Sequence, residues 1–507
     1  MNSFLGEIIK NLPYFCSAKL KQQVMKKIFA AFAALVISVP SFAGGFITNT
    51  NQSVSFLRQP AQNAVISTES AYFNPAGVGF LDKKFHLSFG IQNCTQTRTI
   101  DSNYLPLEYG NPSSKKKYTG KTYVPVFPTL DAAWRFDDKF FASAHFGVIG
   151  GGGKADFDDG LSSFEGLIAM VPTILNKIKG EKVVTYNMDM DVSAKQYIIS
   201  GQLNLGYRFN DHLAVSAGLR ANYVHYSTKA FIGNIQLSGL ENFPALAPYI
   251  EQAGALFADR KVDCKQTDLG WTPIIGINYK VGDFNFAARY EFKTSIRLKN
   301  KTKVLTDPSL TQYADGKDDI ANDIPAILSL GAAWAIKPSL RANLGFNVYF
   351  DKNAKYYNTM TGKNDRGDLI GGNTLEFLAG VEYDIDDRFT VSAGGQRTQF
   401  RWGNDYAFIS DASFNVSSYS IGLGVRYKVN EKISLDAAVF KTYYDSTKKT
   451  MSDYNNIGVR TYALLSQVAG GAITQMIPGG VEALKIEGTD VFDRTNTVLA
   501  VGINIAF

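Results

Sequence analysis

Residues 418–427 read Ser-Tyr-Ser-Ile-Gly-Leu-Gly-Val-Arg-Tyr. Tyr419, Ile421, Leu423, Val425 and Tyr427 share one parity, while Ser418, Ser420, Gly422, Gly424 and Arg426 share the other. Two residues is the side-chain period of a β-strand, so the stretch predicts a strand with one apolar and one polar face. The division recurs at 339–350, where Leu340, Ala342, Leu344, Phe346, Val348 and Phe350 oppose Arg341, Asn343, Gly345 and Asn347, and again at 197–208 and 283–293. From residue 84 onward the period is two rather than 3.6. A 507-residue chain with 13% aromatic residues, 45 Gly and only 3 Cys suits a large all-β protein. It excludes collagenous, disordered and disulfide-stapled classes.

The connections between strands fall into two alternating kinds. Six are tight and charged: Phe136-Asp137-Asp138-Lys139, Phe209-Asn210-Asp211-His212, Lys280-Val281-Gly282-Asp283, Ile336-Lys337-Pro338-Ser339, Asp384-Ile385-Asp386-Asp387 and Lys428-Val429-Asn430-Glu431. Seven longer ones lie between them, at about 96–120, 150–185, 235–262, 300–323, 351–372, 401–415 and 442–494. Thirteen connections imply fourteen strands. An even count with turns at one rim and loops at the other predicts a transmembrane antiparallel β-barrel of the outer membrane, both termini periplasmic. The last strand agrees, with Leu499, Val501, Ile503, Ile505 and Phe507 alternating with Ala500, Gly502, Asn504 and Ala506. Its terminal aromatic resembles the signal read by the barrel-assembly machinery.

Before the barrel come two other segments. Met25-Lys26-Lys27, the apolar run Ile28 to Val39 and Pro40-Ser41-Phe42-Ala43 read as the three parts of an export signal, so 1–43 is expected to be removed, with Met25 a possible true start. That segment holds five lysines and one glutamate, so its loss takes the formal charge of +6 down to +2 and leaves no basic surface for nucleic acid. Residues 44–83 lack sustained alternation and are too few for a receptor plug, but enough to stopper a narrow lumen as a hatch. The barrel proper is then 84–507.

Gly44-Gly45-Phe46 opens this hatch segment and Ser70-Ala71-Tyr72-Phe73-Asn74-Pro75-Ala76-Gly77 closes it, just ahead of the first strand. The combination resembles the FadL/TodX family of outer-membrane transporters for long-chain fatty acids and other hydrophobic compounds. The resemblance implies a hatch motif at Gly45, Phe46, Asn74, Pro75 and Ala76. It also implies passive uptake: capture at the outer face, a greasy lumenal pocket, and sideways release beside a kinked third strand. Here that strand runs into Gly150, Gly151, Gly152 and Gly153, which weaken pairing and mark either a wall opening or the flexible start of a loop.

Two outer loops carry apolar residues three and four apart. Phe164, Ile168 and Val171 share a helical face in one, and Leu246, Ile250 and Phe257 in the next. Such faces either line a capture groove or cap the barrel. The family is described with helices in its third and fourth outer loops, and here the patterns fall in the second and third. A third run, Leu464, Leu465, Val468, Ile473, Met476 and Ile477, lies in the last loop. Strand phase points Phe127, Ile149, Ile198, Ile274, Ile327 and Leu378 inward among Arg208, Arg220, Arg289, Glu291, Arg341 and Glu382. The apolar set favours a lipid-like path. The charged set either pairs internally or holds a ligand carboxylate.

Nothing points to chemistry. His86, His145, His212 and His225 lack metal-ligand spacing, no nucleophile elbow or phosphate loop occurs, and Cys94 and Cys264 are expected to be free thiols. The expectation is a monomeric transporter without cofactor or enzymatic activity, whose partners are a hydrophobic small molecule and outer-membrane lipids. A general polar porin or an adhesin barrel is the alternative.

Overall fold

The computed structural model describes residues 53–243, 258–307, 310–359, 361–469 and 479–507. Its strands are β1 (Phe85–Tyr104), β2 (Lys115–Arg135), β3 (Phe140–Phe157), β4 (Thr185–Arg208), β5 (Leu213–Ser238), β6 (Arg260–Val281), β7 (Phe284–Glu291), β8 (Arg297–Leu305), β9 (Ile320–Ala321), β10 (Ile327–Lys337), β11 (Leu340–Tyr349), β12 (Thr374–Asp384), β13 (Phe389–Gln399), β14 (Ser418–Lys428), β15 (Ile433–Tyr444), β16 (Thr447–Met451) and β17 (Gly488–Ala506). Every neighbouring pair is antiparallel, and β1 pairs with β17 from His86↔Ala506 to Tyr104↔Gly488, which closes the sheet. Three wall positions are interrupted strands, because β7 and β8 both pair with β6, β15 and β16 both pair with β17, and β9 and β10 follow β8 and β7. The closed barrel therefore has 14 strands.

All six tight turns stand where the alternation puts them, and the quoted stretch is β14. Its outward face is a section of the apolar band: Tyr419, Ile421, Leu423 and Val425 are exposed. Aromatics bound the band on other strands, with Trp271 above Ile275, Ile277 and Tyr279 on β6, and Phe377 above Val381 and Tyr383 on β12. Tyr419 to Tyr427 covers roughly 27 Å along the strand at ~3.4 Å per residue, a rise of about 20 Å at the ~40° tilt of barrel strands, which accounts for most of the ~25 Å apolar height of an outer-membrane barrel.

The first three long connections and the last are shorter than the sequence pattern suggested, whereas those expected at 351–372 and 401–415 run slightly longer, at 350–373 and 400–417. The first, expected at 96–120, shrinks to 105–114, and β5 runs 26 residues, far beyond the ~10 needed to cross a bilayer. Above the band the outward residues of β1 become Thr95, Thr97, Thr99 and Asp101, so the apolar face disappears while the ladder continues. The seam and β2–β6 thus form a tall wall, whereas β10–β15 form a short one of 10 to 12 residues per strand.

Two short helices, α1 (Val54–Arg58) and α2 (Ser70–Phe73), and a 3-10 turn at Pro75–Phe80 lie inside the barrel. Ser53 caps α1 by accepting from the Phe56 amide at 3.0 Å. The outer loops add α3 (Ser162–Lys179) and α4 (Ile457–Ala469). Asp411 holds the first turn of α3 by accepting from the Ser163 amide, and Gly180 ends the helix in the left-handed conformation that glycine adopts without strain.

Candidate functional site

The lumenal segment is seated by side chains from around the barrel. Tyr72 lies between two guanidiniums, with Arg220 5.0 Å and Arg289 5.1 Å from its ring centroid, and Arg289 also donates to its carbonyl. The Tyr72 ring also packs 4.7 Å from His145, whose Nδ1 lies 2.8 Å from the buried Asp131 carboxylate. Asn74 donates to Asn278 at 2.6 Å, Pro75 opens the 3-10 turn, and Ala76 is fully buried, so these three residues of the motif sit against the inner wall. Gly45 and Phe46 lie outside the described residues.

On the short wall the seat is made of glycine. A Cβ at Gly422 would run into the Leu57 carbonyl, one at Gly424 into the Arg58 side chain, and one at Gly331 would come within 2.7 Å of the Ala64 amide nitrogen. The polar face of the opening sequence stretch is small because another backbone lies on it. Arg58 then bridges strands, 3.0 Å from Glu382 and 3.3 Å from Asp436, and donates to Ser392.

Inward charges pair with one another. Glu291 receives Arg220 at 2.5 Å and Arg289 at 3.0 Å, Arg341 meets Glu382 at 3.7 Å and Asp384 at 2.6 Å, and Arg208 pairs with Asp211 at the turn rim. Each of these arginines has a carboxylate within reach. A buried charge without such a partner would be strongly destabilising.

The apolar residues gather at three levels. Ile168 and Val171 of α3 are buried with Tyr104, Leu107, Tyr454 and Ile457. Phe164 belongs to the next cluster, with Tyr118, Phe157, Tyr313, Tyr356, Trp402 and Phe408. Ile198 and Leu378 belong to the third, with Ile149, Phe56, Leu57, Tyr72 and Phe73. Phe127, Ile274 and Ile327 are buried too, and both isoleucines stand opposite Glu291. Ile327 and Leu378 help line a small closed cavity beside Phe56 and Phe73. Leu246, Ile250 and Phe257 lie outside the described residues, as do Ile473, Met476 and Ile477 of the last loop.

Polar groups fix the loops around this column. Glu165 of α3 accepts from Lys116 at 2.6 Å, Tyr118 at 2.7 Å and Tyr186 at 2.9 Å. Burial lowers the Arg366 guanidinium to about 10, and it lies 4.6 Å over the Phe408 ring. Burial raises the Asp351 carboxyl to about 7, against the pull of the Thr374 amide that it accepts from at 2.9 Å. Cys94 and Cys264 are free.

The wall itself is broken beside the third cluster. β2 pairs with β3 through Gly120–Thr122 and again through Leu130–Arg135, and Tyr123 to Thr129 have no partner on β3. Pro125 and Pro128 lie in that run, and proline has no amide hydrogen to donate to a ladder. Across the gap, Gly151 and Gly153 have φ of 79° and 125°, and β3 shifts register against β4 at Val148/Gly150 and Gly151/Gly153. Gly150 to Gly153 thus remain strand residues on one edge of the break. Sequence reasoning did not single out the two prolines, nor the inward glycines on which the lumenal segment rests.

No protein-family model matches the chain, and no curated protein does. Solved structures match over nearly its whole length. A Pseudomonas aeruginosa FadL homologue aligns with a TM-score of 0.59 at 13% identity, covering 91% of this chain and 100% of that one. The Pseudomonas putida toluene transporter TodX aligns at 0.53 and 11% identity, covering 91% and 99%. A TodX deletion mutant described as a monoaromatic hydrocarbon channel aligns at 0.52 and 12% identity, covering 90% and 100%. The chain has the fold of the FadL/TodX-type channels.

Proposed function

We propose that this chain is an outer-membrane channel for passive uptake of hydrophobic small molecules, such as long-chain fatty acids or hydrocarbons. The observation that carries the reading is the run Tyr123 to Thr129, which has no partner on β3, while the β3 residue Ile149 facing that break belongs to the same apolar cluster as Ile198, Tyr72 and Phe73. A ligand is captured among the apolar residues of α3 and the outer loops and descends through the Phe164 cluster. It displaces the lumenal hatch and leaves sideways through the break into the bilayer. Each methylene moved out of water stabilises the bound state by about 0.8 kcal/mol, so the path needs no charged anchor. Beside the lumenal segment, Arg58, Arg220 and Arg289 are already committed to carboxylates. The fold shared with a toluene transporter and a FadL homologue supports the same reading. The polar porin has less support, because the described loops and the lumenal segment fill the barrel with buried apolar side chains.

Narrowing the break tests the route. In Gly153→Val the new Cβ would overlap the Val124 and Thr122 side chains, at 2.5 Å and 2.9 Å, and so crowds the break between β2 and β3, at the cost of a valine held at φ 125°. Uptake of labelled oleate and toluene by cells is expected to fall sharply, while heat-modifiable gel mobility and binding of the same probes by purified protein persist. Undiminished uptake through a correctly assembled variant removes the sideways route. Lost binding would instead place capture at the break.

A further inference from the structure

Just beyond the apolar band, the outer face of the tall wall carries a row of lysines. Cross-strand register sets Lys154 opposite Lys195, Lys195 opposite Ser227, Ser227 opposite Lys265, and Lys265 opposite Lys301, across β3, β4, β5, β6 and β8. All four lysines are exposed. Lys154 contacts Asp156 at 2.6 Å, but among the described residues no carboxylate lies within 4.0 Å of Lys195, Lys265 or Lys301. The outward row one step higher is built differently. There Lys121 faces Asp156 and Lys229 faces Asp263, alternating in sign along the sheet. Like charges directly opposite on neighbouring strands destabilise a sheet, so the lower row calls for anions from outside the chain.

The height of the row says which anions those are. Lys195 is two residues beyond Tyr197, and Lys265 four beyond the exposed Leu269. At ~3.3 Å per residue the lysine positions lie roughly 7–13 Å along the strands past the end of the band, about 5–10 Å in height at a ~40° tilt, the depth of lipid headgroups. Neighbouring strands are ~4.8 Å apart, so Lys265 and Lys301 can reach one phosphate together and Lys195 a second. Among the described residues the short wall has no equivalent surface, because its strands end near that level.

We propose that Lys195, Lys265 and Lys301 form a binding site for the phosphorylated headgroup of an outer-leaflet lipid. The inference rests on the membrane-embedded band and not on the hydrophobe path. Purified barrel in neutral detergent would be titrated with a bisphosphorylated glycolipid, lipid A, and followed by native mass spectrometry. Two triple variants with the same change in charge are compared: Lys195→Gln/Lys265→Gln/Lys301→Gln, and Lys121→Gln/Lys229→Gln/Lys261→Gln. A lysine near an anionic surface contributes about fivefold, so the first variant is expected to lose about a hundredfold in affinity and the second little. Equal losses in both, or none in the first, overturn the site. Displacement by inorganic phosphate at matched concentration assigns the lysines to free anions and overturns the lipid. Toluene binding by the first variant is expected to be unchanged, which separates failure here from failure of the transport reading.

Discussion

The tall wall and the short wall cross the same apolar band and part company above it. Strands β1–β6 continue as a sheet whose inner side presents Tyr118, Phe157, Val192, Ile232 and Val262. Strands β11–β15 stop, and the chain between them turns inward as loops carrying Tyr356, Ile370, Trp402, Phe408 and Phe414. The two sets form one cluster. The short wall's loops therefore have an ordered core because the tall wall supplies half of it. Regular structure on one side of the barrel makes irregular structure possible on the other, where a loop alone could not bury enough surface to order itself.

Trp402 is where that partnership breaks most easily. It stacks on Phe400 at 4.9 Å and on Phe408 at 4.8 Å, and its indole donates to the Asn415 carbonyl at 2.6 Å. Trp402→Ala should destabilise the loop layer by about 3–5 kcal/mol. Hydrogen exchange should then rise across 400–417 while the band strands keep their protection. Unchanged protection of 400–417 would show that the loops do not depend on this core.

A smaller effect separates the walls by height. Leu344 is exposed in the band on β11, and Leu344→Arg there should destabilise the barrel by about 2–4 kcal/mol. Asn187 is exposed high on β4, and Asn187→Arg should stay within about 0.5 kcal/mol of the parent. Equal losses in urea unfolding from lipid would mean that the upper part of the tall wall is buried in membrane as well.

A third effect is on acidity. Because burial raises the folded-state value of Asp351 to about 7 from the ordinary 3.8, the neutral acid is the favoured form. Its stabilisation is fully present below pH 3.8 and is lost as pH rises toward 7. Asp351→Asn should flatten the melting temperature across that window. A slope equal to that of the parent would assign the pH dependence to other groups.

The fold was legible because the membrane enforces one rule on every strand: outward residues are apolar through the band. Tyr419 to Tyr427 and the six charged turns follow from it. The tall wall above the band was not legible, since outward Thr97, Thr99 and Asp101 look like loop while their inward neighbour Ile100 still belongs to the sheet. The face of α3 could be read from the spacing of Phe164, Ile168 and Val171, as packing alone imposes it. Carboxylates such as Glu165 and Glu376 could not, because their partners come from distant strands. The inward glycines were visible as small residues, yet only a backbone seated on them explains why no side chain is there.

The seating of the lumenal segment also fixes an order of events. Arg58 reaches Asp436 across 378 residues, and Leu57 lies on Gly422, so the first part of the described chain rests on strands synthesised near the end. Contacts so far apart in sequence close late. A polypeptide stalled before β14 lacks the strands on which α1 chiefly rests and leaves that helix available to proteases or chaperones, whereas a finished barrel withdraws it. The N-terminal stretch can thereby report whether the C-terminal strands have arrived, a quality check written into the connectivity of the chain.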